Sequence, residues 1–586
     1  MNEKSAPVKI SDLEEISAAR FCNFCRNNVP LILAVSFTLF FAYGAKLFWY
    51  SIGRDTNFFM ADKNETLLWE VQIGRFGLAA LSWLWHIKEF NPFAASFTAF
   101  CLVWLFTVSW CYIIAVFDKN TGRNNKLIPF ALVFMTMPIW AETIYYSLAA
   151  AVSAFIIALC PYVIYLFYKG FLDSERGKTI CASVLLVFMI SAYQGIAPLF
   201  CCGVFACFIL LQERSDYEPR IYRNLCLKFS IALVGAMVVY LTIDKIIIPA
   251  VFHVEKADYL DNMFLWGKVP VKQNLFMVFG FVYAFTIGHI PPVLYPVIAA
   301  FTAIDAQAIE HMADMASSRA KFSQNLLLLP IVAFFLFKIT VTMRKAVPSK
   351  RKLLYMFAGI GVPLCIILMA VMLGNKHPLR SLWALPFAYA FMFFYLIESY
   401  SYKKKIAAVI VCVALITAVR QAETTAQLFY SDYMRYNEDV RLAFEFDKLI
   451  ARVQPDNEKL PVALIGQCQA APRFRSNFLM GESLGRSFFE CGIDISKPYS
   501  DVTNYGLTFM KTLGIFYDYP DDAQLNRAFK EVAQMPAYPD SGCAKRVQDV
   551  IVVRISEDLS VRGTFQSILA AFKLYMPVFR ENINEN

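Results

Sequence analysis

About a dozen long apolar segments crowd residues 30–420, and beyond them the hydrophobicity stops. An unpaired backbone amide is costly in hydrocarbon, so runs near the ~20 residues that span a bilayer are read as transmembrane α-helices. Eight stretches meet or approach that length: 30–50, 93–117, 148–168, 229–248, 326–341, 353–373, 382–396 and 406–419. Five shorter ones, 127–139, 180–192, 196–211, 275–289 and 293–304, are weaker candidates, with Pro291-Pro292 as a tight turn between the last two. The expected fold is an α-helical multi-pass membrane protein of about 11–13 spans followed by a mixed α/β domain.

Lys and Arg set the expected orientation. They collect in alternate loops: Lys119/Arg123/Lys126, Lys169/Arg176/Lys178, Arg214/Arg220/Arg223/Lys228, Arg344/Lys345/Lys350/Arg351/Lys352 and Lys403/Lys404/Lys405. These loops are placed inside. The opposite loops are poorer in cations, and the first carries Asp55, Asp62, Glu65, Glu70 and Glu89. The chain then divides into a cytoplasmic segment 1–29, a membrane domain 30–420 with an acidic first outer loop 51–92, and an outer domain 421–586. The net charge of +9 is mostly this topogenic bias, so no nucleic-acid partner is implied.

Residues 1–29 are too polar for a signal peptide, and the first span lacks a small-residue cleavage site after it, so it is expected to stay as a signal anchor. Ser11-Asp12-Leu13-Glu14 reads as a capping box opening a short helix along the membrane. Twelve of the fifteen cysteines lie in the tail, spans or inner loops and act as small apolar residues. Cys22-Asn23-Phe24-Cys25 is a lone CxxC without a second ligand pair. In the outer domain a Cys468–Cys491 disulfide would suit an oxidising compartment, with Cys543 allowing two other pairings. There, residues 436–453 have helical periodicity, 461–466 and 547–555 read as buried strands, 536–542 as a turn, and 564–578 as an amphipathic helix.

Chemistry-bearing residues concentrate on the outer side. The first loop runs Gly53-Arg54-Asp55, Asp62, Glu65, Trp69-Glu70 and Gly74-Arg75-Phe76-Gly77 into Trp83-Leu84-Trp85-His86. Carboxylates beside the bilayer, then an arginine and an aromatic helix, would suit an enzyme meeting a lipid-linked substrate; a solvated outer loop is the plainer reading. Glu142 interrupts an apolar stretch, flanked by Trp140 and Tyr145-Tyr146 as expected interface anchors. A charge at mid-membrane costs ~2.5–3.5 kcal/mol, so such a residue faces a polar cavity or a solvated turn. Tyr193-Gln194 breaks another apolar run, and Lys376-His377 with Arg380 concentrates cations in a short outer loop, where they can hold a phosphate or reach lipid headgroups. His86, His253, His289 and His311 are isolated, so no metal site is expected.

The Gly53-Arg54-Asp55 loop, Trp69 with Gly74-Arg75, the Tyr193-Gln194 break, the late Arg380 and the terminal domain together resemble the bacterial membrane glucosyltransferases that modify O-antigen, often prophage-borne, within the C-type glycosyltransferase architecture. In that family we expect paired acids at the start of the loop. Here Arg54 precedes a single Asp55.

The resemblance implies an inner-membrane enzyme, N-terminus cytoplasmic and C-terminal domain periplasmic. The implied donor is a polyprenyl-phosphate sugar, undecaprenyl-phosphate glucose, and the acceptor an O-antigen hydroxyl of lipopolysaccharide. No cofactor or metal is implied. The enzyme would depend on a donor-lipid synthase and a flippase. Asp55 would be the base, with Asp62 and Glu142 next; Arg75, Lys376 and Arg380 would contact the donor phosphate; Trp69, Glu70, Tyr193, Gln194 and His377 would contact substrate. Another lipid-donor glycosyltransferase, a polymerase, or a lipid-linked glycan flippase or transporter is the rival.

The charge pattern makes one prediction directly. A reporter enzyme active only in the periplasm should be active when fused after Asn586 and inactive when fused after Lys405; cytoplasmic behaviour of the C-terminal fusion would overturn the orientation of every loop.

Overall fold

The computed structural model describes residues 13–85, 90–118, 126–257, 263–286, 327–374, 378–455, 458–468, 479–490, 499, 501–557 and 559. The chain forms two units. The first falls within Met1–Phe48, Asn64–Val282 and Ser323–Ala426, the second within Trp49–Lys63, Tyr283–Phe322 and Gln427–Asn586.

Eleven of the thirteen apolar segments are helical over most of their described residues, 275–289 is helical over its described part to Thr286, and 293–304 lies outside the described residues with Pro291-Pro292. Local chemistry explains where helices begin. Pro92 starts Pro92–Phe117 because its missing N–H falls where none is needed, and the Asn91 side chain accepts from Ala94 N at 3.0 Å. Side chains such as Phe37 and Leu353, 76% and 81% exposed, present apolar surface outward as lipid-facing residues do.

Among the described residues the count of full spans is lower than 11–13. Six helices among the described residues are long and apolar enough to cross a membrane, or seven if the bent pair Leu127–Thr136 and Ile139–Tyr145 is one span. The apolar stretch 353–373 splits just past Pro363 into Lys352–Leu364 and Leu368–Leu373. Leu328–Lys345 carries Lys338, Arg344 and Lys345, and Ala384–Ser399 is only 16 residues long. Hydropathy windows see apolar runs but not the breaks that prolines introduce.

Two other expectations need correction. The N-terminal helix is Ala18–Asn27, and its cap is Ser17, whose hydroxyl accepts from Arg20 N at 3.2 Å; Leu13 and Glu14 precede it as non-helical chain, and Ser11 and Asp12 lie outside the described residues. Its Phe21 and Phe24 pack on Tyr112. Trp140, Tyr145 and Tyr146 are not interface anchors, because all three are buried.

Loop cations pair with acids at helix ends. Lys126 bridges Asp118 and Glu398, Lys169 pairs with Asp173 at 3.1 Å, and Arg351 with Asp216 at 2.7 Å.

The second unit is built on a three-stranded sheet, β1 (Val462–Ile465), β2 (Ala544–Val547) and β3 (Val550–Arg554), in the order β1-β3-β2. β1 runs parallel to β3 in the register Val462↔Ile551, and β2 antiparallel to β3. Side chains alternate between faces. Val462, Leu464, Ile551 and Val553 join Phe446, Ile450, Leu507 and Met510 in one core, whereas Ala463, Ile465, Val550 and Val552 pack on Leu525, Phe529 and Val532 in the other. β1 is therefore buried on both faces, which is why it reads as an uninterrupted apolar run. The strand read at 547–555 is present as β3, shortened at its start by the turn Gln548-Asp549, and the edge strand β2 before that turn exposes Lys545 and Arg546, charges that discourage edge pairing. The turn Gln548-Asp549 takes a positive φ of 55° at Gln548, and Gln524 and Arg527 hold the Asp549 carboxyl below the usual carboxylate range.

Asp522–Val532 opens on the capping box Asp521/Gln524. The turn at 536–542 is present, closed by Asp540 N on Ala537 O at 2.9 Å. Cys543 is a buried free thiol, its pKa raised by burial, so neither pairing that uses it is formed; Cys491 lies outside the described residues, as does the stretch 564–578.

The helix Lys404–Val453 contributes its residues from 427 onward to this unit. There Arg435 is fully buried between two carboxylates, with Nη2 2.6 Å from Asp432 Oδ1 and Nη1 3.2 Å from Asp439 Oδ2. Nη2 also donates to Ile52 O at 3.0 Å, while Asp439 accepts from Ser487 Oγ at 2.5 Å and Phe488 N at 3.1 Å. This triad ties residues 51–52 and the 483–488 loop to one helix. Removing a single partner strands a buried charge at a cost of ~3–5 kcal/mol. Arg435→Met should accordingly lower the melting temperature and yield of the purified full-length protein sharply; a wild-type melting curve would contradict the role given to the triad.

Candidate functional site

The site in the first unit is organised around helix breaks. Leu127–Thr136 and Ile139–Tyr145 meet at 51° across Met137-Pro138. Proline removes a donor there, and the freed carbonyls are satisfied by side chains: Trp140 Nε1 on Phe134 O at 2.7 Å, Tyr43 OH on Met135 O at 2.5 Å, and Thr425 Oγ1 on Thr136 O at 2.9 Å. The bend puts Glu142 in the first turn of Ile139–Tyr145, where the helix dipole favours a carboxylate. Glu142 is completely buried.

Thr143, next along that helix, connects to the late cationic loop. Its Oγ1 donates to Arg380 O at 3.3 Å and accepts from Trp383 Nε1 at 3.2 Å. Arg380, on the short turn Leu379–Ser381, donates from Nη1 to Tyr146 OH at 2.8 Å with its guanidinium 4.7 Å from that ring's centre. This is cation–π geometry, which Arg favours.

The Tyr193-Gln194 break lies against the same loop. Arg176–Ala192 stops, Tyr193 turns extended, and Ile196–Arg214 begins. The Tyr193 ring stacks on Trp383 at 4.6 Å, 24° from parallel, and Arg75 lies 5.1 Å from the centre of that ring. Arg75 Nη1 also pairs with the buried Glu70 at 3.5 Å. Gln194 Nε2 donates to Gly74 O at 3.2 Å and to Tyr240 OH at 2.7 Å, and Tyr240 OH donates to Gly74 O at 3.0 Å. Gly74 has φ +80°, and a Cβ there would lie 2.7 Å from Tyr240 OH, so this turn requires glycine.

A continuous chain of contacts thus runs Glu70, Arg75, Tyr193, Trp383, Thr143, Arg380, Tyr146. It brings two arginines remote in sequence into one network beside the Glu142 helix, with Gln194 holding the turn before Arg75. A narrow cavity lined by Tyr43, Lys46, Ser96, Phe100, Val103 and Ile144 adjoins that helix and adds a buried lysine. Trp69 is 45% exposed on Lys63–Gln72. Lys376 and His377 lie outside the described residues.

Asp55 and Asp62 belong to the second unit. Asp55 is exposed in the first turn of Arg54–Ala61, a favourable end for a carboxylate; Asp62, also exposed, sits at the C-terminal end, where the dipole disfavours it. Among the described residues no three His, Cys, Asp or Glu side chains converge as metal ligands.

Sequence reasoning missed Thr143, Trp383, Tyr240 and Lys46. Aromatic and hydroxyl residues inside apolar runs look like packing until the fold shows what they touch; Lys46, a lone cation near the end of the first span, was the one visible signal.

A family model described as Glucosyl transferase GtrII matches residues 44–397, which contain every element of this network. No curated protein matches the chain.

Proposed function

Since the chain belongs to the glucosyl transferase GtrII family, we propose that it transfers glucose from undecaprenyl-phosphate glucose to a hydroxyl of the O-antigen repeat at the periplasmic face of the inner membrane. The observation that carries this reading is the pairing of two aromatic-stacked arginines, Arg75 and Arg380, in one contact network beside a buried carboxylate. A site for a lipid-linked monophosphate needs cations that can fork onto phosphate oxygens next to the bilayer, and Arg does this better than Lys.

In the proposed step a carboxylate takes the proton of the acceptor hydroxyl as that oxygen attacks the anomeric carbon. The bond to the phosphate oxygen breaks, and polyprenyl phosphate leaves with the electron pair, its charge met by Arg75 and Arg380. One displacement inverts the anomeric centre and needs one base. Asp55 is proposed as that base, with Asp62 and Glu142 next. Glu70 is already engaged with Arg75. Lys376 and His377, which precede Arg380 in the chain, are proposed to complete the phosphate and sugar contacts, with Trp69 as a face for the sugar ring and Tyr193 and Gln194 as further substrate contacts. A donor-lipid synthase and flippase would supply the substrate.

Radiolabel transfer from polyprenyl-phosphate glucose to glycan in purified membranes tests this, since a flippase moves the whole lipid and no sugar between molecules. Asp55→Asn should lose transfer by ~10² or more at normal protein levels, as for a general base. Glu142→Gln and Asp62→Asn are the parallel measurements, and full activity in all three variants would sink the mechanism.

A further inference from the structure

A buried carboxylate inside an apolar span is expensive unless it is paired, and Pro219–Val251 holds one whose partner lies just beyond the span. The helix Pro219–Thr242 passes into a π-turn, Ile243–Ile247, a rare geometry that re-aims a side chain by one residue. The re-aimed side chain is Asp244, buried and 2.6 Å from Lys256 Nζ. Lys256 reaches onward to Val71 O at 2.7 Å, and Ala257 N donates to Gln72 O at 3.3 Å. Residues 253–257 therefore lie as a strap along the turn 71–74, after His253 reverses the chain at φ 52°.

The same turn is gripped from the other side. One helical turn before Asp244, Tyr240 donates to Gly74 O and stacks on Phe76 at 5.9 Å, and a Cβ on Gly74 would lie 3.3 Å from both Asp244 carboxylate oxygens. The carbonyls of Val71, Gln72 and Gly74 are thus held by Lys256, Ala257 and Tyr240. Arg75 follows immediately, with its own N–H on Glu70 O at 2.7 Å. Nothing in this arrangement points Asp244 or Lys256 at a substrate. Lys256 acts on the backbone at Val71 O, and Asp244 holds Lys256.

We propose that Tyr240, Asp244 and Lys256 are positioning residues: a latch from the π-turn of a membrane helix that sets the turn 71–74 and so the place of Arg75 against Tyr193. This rests on the reading of Arg75 as a donor-phosphate contact. Loosening the latch lets the turn move without removing any group that touches substrate, so donor use weakens while acceptor use does not.

The test exploits how buried charges behave. Asp244→Asn or Lys256→Met alone strands the partner and lowers the melting temperature; the double variant removes both charges and recovers most of it. A purely structural pair would recover donor use along with stability. A latch would not: the double variant, and independently Tyr240→Phe, should show a donor KM raised about tenfold, the scale of one lost hydrogen bond, with acceptor KM and melting temperature near wild type. Hydrogen exchange over residues 70–77 of the full-length protein should rise in both. Wild-type donor KM in these two variants, or unchanged exchange, overturns the latch. If the wild-type protein transfers no sugar from the lipid donor, the functional reading fails, and the exchange measurement alone decides whether the latch exists.

Discussion

A carbonyl that leaves a helix inside an apolar bundle must find a donor, and the candidate site is built from the side chains that supply them. At the Met137-Pro138 bend the donors are Trp140, Tyr43 and Thr425; at Gly74 they are Gln194 and Tyr240. Each donor fixes a break at one orientation, because breaking the bond would leave an unpaired polar group in a low-dielectric interior. Glu142 and Arg75 take their places from these two breaks. Irregular backbone at membrane depth, tolerated only where such partners exist, is what lets an otherwise uniform bundle present polar groups at one spot.

The arginines then need little further support. Arg380 rests on Tyr146 and Arg75 on Tyr193, and Trp383 ties the two halves by stacking on one ring and donating to Thr143 beneath the other arginine's backbone. Both guanidinium groups lie over aromatic faces, and Arg75 also meets the Glu70 carboxylate at 3.5 Å. In the second unit the opposite solution is used: Arg435 is fully enclosed by Asp432 and Asp439 and serves only to bind segments together.

Much of this was legible in the sequence, for identifiable reasons. Apolar runs such as 93–117 and 196–211 are helices because lipid leaves no alternative, and 461–466 is a strand because both its faces are buried. Arg75 and Arg380 stood out as loop cations and Glu142 and Tyr193-Gln194 as polar interruptions; Arg75, Tyr193 and Arg380 fall in one chain of contacts, with Gln194 on the turn before Arg75 and Glu142 on the helix that carries Thr143. What escaped were breaks and partners. Pro138 and Pro363 mark places where spans bend or split, yet a hydropathy window averages across them. Tyr240, Trp383 and Thr143 are indistinguishable from packing residues until their hydrogen bonds are seen, and Asp244, though a visible charge in a span, gave no hint of a partner twelve residues away across a π-turn.

The central claim is that Arg75 and Arg380 act together on one lipid phosphate, and donor dependence tests it most directly. Transfer rate should be measured against polyprenyl-phosphate glucose concentration for Arg75→Ala, Arg380→Ala, their double and the two Lys variants. The account predicts that each Ala variant needs far more donor, that Lys rescues only partly because an ammonium cannot fork onto two oxygens, and that the double variant is less than additive because both contacts share one phosphate. Unchanged donor dependence in both Ala variants would mean that these arginines only brace the fold, and would place the phosphate elsewhere.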